Sequence, residues 1–213
     1  MIRIGIDFSL NSPSVCININ NEKLYFISFF NDEGKDWKNS KSEKFQYHNI
    51  LNNNIVEMIP YTRKINKDDY RLEQKTKMED AMLLADIIVN RLKEYSNDSD
   101  LKIGIEGFSY SSKGSSFIDL IIYNSFLRKK LVDEFGFEKI NIISPSEAKK
   151  KFSGKGNSNK EKMILSFKEN YIKLDLIANS KLFKFVNEIE INYKKIPKPI
   201  DDLVDSCGIC ISI

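Results

Sequence analysis

The chain has 213 residues, 41% hydrophobic and 30% charged, with 33 Lys and Arg against 30 Asp and Glu for a formal net charge of +3. That length supports one sizeable core without staples and excludes a minimal disulfide- or metal-stapled scaffold, while the near balance of charge excludes polyanion binding by bulk charge alone. Three cysteines, Cys16, Cys207 and Cys210, form no disulfide framework, and neither a leader-like stretch nor a long apolar run is present, which predicts a soluble protein of a reducing, cytoplasmic compartment with no membrane partner.

The first thirty residues read as strands: Ile2 to Phe8, Ser14 to Ile19, a turn at Asn20 and Asn21, then Leu24 to Phe30. Short alternating runs separated by a two-residue turn predict an antiparallel three-strand meander. From Asn31 to Asp69 the periodicity fails and polar residues dominate, so positions 31–70 read as an excursion holding one short helix. Its Trp37, Phe45 and Tyr47 either pack on the sheet or stack on unpaired bases. Helical spacing returns at Met78, Met82, Ala85, Ile88, Val89 and Leu92, and a strand follows at Leu101 to Glu106. A second helix is expected over Phe117 to Phe135 and a short strand over Ile140 to Ile143. "SPSE" at Ser144 to Glu147 and "SNKE" at Ser158 to Glu161 both have the capping-box form, each starting a helix with its Ser as N-cap. Residues 174–198 are ambiguous, and a last helix begins near Asp201, because Pro197 and Pro199 exclude a long run-in. The order predicts one α/β domain over 1–213, with a mixed central sheet between helices on both faces.

Two strands share a template, "IRIGID" and "LKIGIE". Alternation puts Arg3, Gly5 and Asp7 on one face, as it does Lys102, Gly104 and Glu106. Parallel pairing in register would set Asp7 beside Glu106 at the strands' carboxyl ends, where open α/β sheets bind ligands. In "PIDDLVDSCGICISI" Asp202 and Asp205 lie three apart on one helix face, and no Lys or Arg follows Lys198. These acids therefore have no local basic partner, and Asp201 reads as a helix cap. Gly5 and Gly104 would let this helix lie close on the sheet, and Cys207, Gly208 and Cys210 keep it slim, packing small side chains with no zinc or redox role.

Four gathered carboxylates repel one another unless cations neutralise them. Mg2+ or Mn2+ suits such oxygen donors, and two ions about 4 Å apart would serve attack of water on a phosphodiester. Asp7, Glu106, Asp202 and Asp205 are thus the expected metal ligands. Between Lys139 and Lys173 stand nine lysines against three glutamates. The stretch "KKKFSGKGNSNKEK" combines glycines with a helix N-terminus, a phosphate-binding arrangement, but lacks the Gly-Lys-Ser/Thr ending of a nucleotide loop. Phe8 reads as core, and Phe108 and Tyr110 as flanking the site.

The blocks "GIDFSLNSPSV", "IGIEGFSYSSKGSSF", "SPSEAKKKFSGKGNSNKEKM" and "DDLVDS" together resemble, in order, the RuvC-like Holliday-junction resolvases of the RNase H-like superfamily, especially the phage and bacterial versions. The resemblance implies an RNase H-like fold and a metal-dependent endonuclease of phage-infected or bacterial cells. It also implies a homodimer that nicks symmetric strands of a four-way DNA junction. By position Asp7, Glu106, Asp202 and Asp205 match the catalytic acids. Lys160 matches a lysine near the scissile phosphate, with Lys155 as second choice, and Lys149, Lys150, Lys151, Lys155, Lys160 and Lys162 would contact DNA. Ser14 stands where many relatives have Gly, and Ser206 where Ala is commoner. Alternatives are a same-fold nuclease for other branched DNA or RNA-containing duplexes, and a noncatalytic nucleic-acid-binding scaffold.

Overall fold

Aliphatic alternation at the start of the chain folds into β1 (Ile2–Asp7), β2 (Ser14–Ile19) and β3 (Lys23–Asn31), paired antiparallel in sequence order. The structure, a computed structural model, describes residues 1–34, 51, 56–108, 114–171, 181–188, 196 and 198–213. The β2–β3 turn runs through Asn20 and Asn21 at φ 55° and 60°, and the Glu22 N–H donates to the Ile19 carbonyl at 3.0 Å. Such tight hairpins need left-handed backbone at both central positions, which Asn tolerates.

The excursion contains a strand that the sequence reading does not anticipate. β4 (Val56–Tyr61) runs parallel to β3 and forms that edge of the sheet. Pro60 argues against a strand in a sheet interior, but an edge accepts it because no neighbour requires its N–H. Leu51 is helical and buried. The remainder of the expected short helix, with Trp37, Phe45, Tyr47 and also Tyr110, lies outside the described residues.

α1 (Tyr70–Leu92) starts two turns earlier than its apolar spacing suggests, because the Asp69 carboxylate accepts from the Leu72 N–H at 2.9 Å and caps it. β5 (Lys102–Glu106) follows, then α2 (Ser115–Phe135) and β6 (Ile140–Ile143). β5 pairs parallel with β1 and β6 parallel with β5, giving the order β4-β3-β2-β1-β5-β6. Ser144 caps α3 (Pro145–Ser153), accepting from the Glu147 N–H at 3.2 Å. For α4 (Lys160–Tyr171) the cap moves by one residue: Asn159 accepts from the Lys162 N–H, while the Ser158 hydroxyl donates to the Lys155 carbonyl. α5 (Lys181–Glu188) and α6 (Ile200–Ile211) complete the described elements.

The sheet carries apolar packing on both faces. Ile4, Ile6, Val15, Ile17, Ile103 and Ile105 pack with Leu84 and Ile88 of α1 and Leu127 and Leu131 of α2. On the opposite face Cys16, Leu24 and Phe26 meet Phe152 of α3, Phe167 of α4 and Leu203, Cys207 and Cys210 of α6. The mixed sheet between helical layers is the predicted fold class. No helix among the described residues is long and apolar enough to cross a membrane.

Candidate active site

β1 and β5 match residue for residue, Arg3 with Lys102, Gly5 with Gly104 and Ile6 with Ile105. One step further along the same register, Asp7 and Glu106 end adjacent strands at their carboxyl edge. α6 crosses this face in close contact. A Cβ at Gly5 would stand 2.2 Å from the Ser206 carbonyl oxygen and 2.3 Å from the Cys210 nitrogen, and one at Gly104 3.0 Å from Ile209 Cγ2. Only glycine permits that backbone approach, which carries Asp202 and Asp205 to the strand ends. The cysteines behind this contact are buried thiols, and the Cys210 thiol donates to the Arg3 carbonyl at 3.2 Å. Burial pushes the Cys16 thiol up, with Cys207 and Cys210 adding to it, which keeps Cys16 a packing side chain.

The four acids act on one another. The Asp7 carboxyl is raised well above its ordinary range, first by burial and then by Asp202, Asp205 and Glu106. Asp205 is pushed up to about 7 by burial, with Asp201, Glu106 and Asp202 adding repulsion. Burial also raises Asp202 and Glu106, against the opposing pull of Lys198 on the first and Lys149 on the second. Negative charge therefore exceeds what the surrounding bases neutralise.

The cations that do reach the cluster change the picture drawn from sequence. Lys198 forms an ion pair with Asp202 Oδ1 and lies 3.6 Å from Asp201 Oδ2. Lys160 also pairs with Asp201. Asp201 and Asp202 of α6 thus have basic partners after all. Asp201 is not a cap either: Pro199 holds the N-cap position with no side-chain bond, and Asp201 is buried, accepting from Lys160 with Lys198 as a second nearby cation. Lys198 stands four residues before Asp202, but ahead of Pro199 and outside the helix, so a search for bases within or after the helix misses it. Ser12 is the other residue that sequence reasoning misses. Its hydroxyl donates to Asp202 Oδ2 at 2.7 Å in a buried setting, and Ser9 Oγ in turn accepts from the Ser12 N–H at 3.1 Å.

The donor set suits a hard divalent ion, being oxygen-only, buried and short of positive charge. Among the described residues no three His, Cys, Asp or Glu side chains already stand in a metal-holding arrangement. The Lys198 ammonium supplies part of the positive charge that these acids lack.

The predicted DNA-contacting lysines are on α3, α4 and the loop between them, and both helices border α6. Lys149 is close enough to act on Glu106 and Asp205. Lys150, Lys155 and Lys162 are exposed. Lys151 is committed to structure, since its ammonium donates to the Ser212 carbonyl at 2.6 Å and pairs with Glu147 at 3.1 Å. On the other side of the acids Phe8, Ser9, Leu10, Asn11, Ser116, Phe117 and Leu120 line a groove of about 430 Å³. Phe8 is buried as expected. Phe108 packs edge-on to Phe117 with ring centres 6.0 Å apart, and the Arg128 guanidinium lies 4.6 Å from its ring centre. The Tyr61 hydroxyl of β4 donates to the Leu10 carbonyl at 2.9 Å and so fixes the groove's near wall.

No protein-family model matches the sequence, and no curated protein does. Solved structures of similar fold include Thermus thermophilus RuvC, at 12% identity and a TM-score of 0.50, with all of this chain and 92% of that chain covered. They also include T. thermophilus RuvC in complex with Holliday junction substrate, at 11% identity and a TM-score of 0.52, with the same coverage. The chain has a RuvC-like, RNase H-like α/β fold.

Proposed function

We propose that the chain is a Mg2+- or Mn2+-dependent endonuclease that hydrolyses DNA phosphodiesters at four-way junctions, working as a homodimer with one site per protomer. The observation that carries this reading is that Asp7, Glu106, Asp202 and Asp205, from three elements, lie near enough to raise one another's carboxyls, beside the α3–α4 lysines. A buried like-charge cluster is costly as a purely structural feature. The junction-bound T. thermophilus RuvC of the same fold supports branched DNA as substrate.

Asp7, Glu106, Asp202 and Asp205 would hold one or two ions, which when bound polarise the phosphoryl oxygen and acidify the attacking water. Ser12 fixes one oxygen of Asp202 and so orients that ligand. Lys149 and Lys160 supply positive charge next to the acids and draw a phosphate toward them, while exposed Lys150, Lys155 and Lys162 engage the arms of the DNA without reading sequence.

With Mg2+, wild-type protein is expected to nick a synthetic four-way junction into paired duplex products. Asp7→Asn and Asp205→Asn should bind the junction without cutting it. Equal cutting by these variants would sink the ligand assignment. Absence of cutting by wild type on any branched substrate would leave a DNA-binding scaffold.

A further inference from the structure

Asp202 is saturated in an unusual way. Its Oδ2 accepts from the Ser12 hydroxyl, and its Oδ1 is taken by the Lys198 ammonium. The carboxylate is nearly sealed, 3% exposed, whereas the Lys198 side chain is 37% exposed. The base thus enters the cluster from the solvent side and closes it. Lys198 is also the group that pulls the raised Asp7 back down, so its charge is felt on β1 as well as on α6.

We propose that Lys198 is a tethered counter-ion, standing in for part of the metal charge in the metal-free protein, and that a divalent ion takes Asp202 only by displacing it. The inference rests on the metal-dependent reading above and adds a residue of this chain that sets metal affinity. Two cations close together on Oδ1 repel each other, so the ion and the ammonium compete for it. Displacement is a short movement, because Asp201 Oδ2, 3.6 Å from the ammonium, remains as a partner. Competition of this kind lowers affinity for the ion below what four bare carboxylates would give, and spares the metal-free fold an uncompensated charge.

The test is calorimetric titration of wild type, Lys198→Met and Lys198→Arg with Mn2+ in the absence of DNA, alongside amine labelling of wild type read by mass spectrometry. Lys198→Met should bind Mn2+ about tenfold more tightly, the equivalent of one modest ion pair, and Lys198→Arg should stay near wild type. In wild-type protein Lys198 should label slowly without metal and faster at saturating Mn2+, a readout that does not depend on the folding of any variant. Equal affinities in wild type and Lys198→Met, or labelling of Lys198 unchanged by bound Mn2+, would overturn the proposal and leave the nuclease reading standing. Failure of wild type to bind Mn2+ at all would overturn both.

Discussion

Replacing Asp205 by Asn should make the metal-free protein more stable above neutral pH while abolishing the proposed cutting. Burial and the neighbouring acids lift this carboxyl from 3.8 to about 7. A raised acid holds its proton more tightly in the folded chain than in the unfolded one. The stability it confers is therefore complete below about pH 4 and is lost progressively as pH rises through about 7. The full separation corresponds to a ceiling of about 4 kcal/mol, and sharing of charge among the acids reduces the realised figure to roughly 2 kcal/mol. For a chain of this size that is a rise in Tm of roughly 4 to 8 °C. Thermal unfolding in EDTA at pH 5 and pH 8 measures it: the variant should exceed wild type at pH 8, with the gap much reduced at pH 5. A variant equal to or less stable than wild type at pH 8 would refute the idea that uncompensated charge at this site strains the fold.

Ser12→Ala removes the buried donor to Asp202 and should cost about 1 to 2 kcal/mol in urea unfolding, together with roughly tenfold or more in Mn2+ affinity by titration. Gly5→Ala forces a methyl to within 2.2 Å of the Ser206 carbonyl oxygen and should destabilise by about 3 kcal/mol or more, read as a loss of cooperative unfolding or of soluble protein. Lys149→Ala should weaken junction binding about equally for all sequences and reduce the salt slope by roughly one, measured by fluorescence anisotropy across salt concentrations.

The site was legible where its residues follow a period. Alternation in "IRIGID" and "LKIGIE" puts both acids and both glycines on one face, and the parallel register delivers them as expected. The three-residue spacing of Asp202 and Asp205 does the same on α6. What stayed hidden depends on tertiary placement. Lys198 precedes Asp202 by four residues, but it stands ahead of Pro199 and outside α6, so a reading that starts the helix near Asp201 leaves it out. Ser12 meets Asp202 through a loop whose path has no periodic signature. β4 was masked by Pro60, which argues against a strand until that strand is known to be an edge. Asn159 displaced Ser158 as the cap of α4 because two adjacent residues could both serve, and the Ser158 hydroxyl is engaged with the preceding loop.

The close seating of α6 on Gly5 also orders events in time. Asp7 lies on the first described strand, and Asp202 and Asp205 lie on the last described helix. The β1–β3 meander can pair early from local contacts, but its α6 face stays uncovered until that helix arrives. During folding, therefore, the four acids are brought together only when residues 200–211 dock on the sheet.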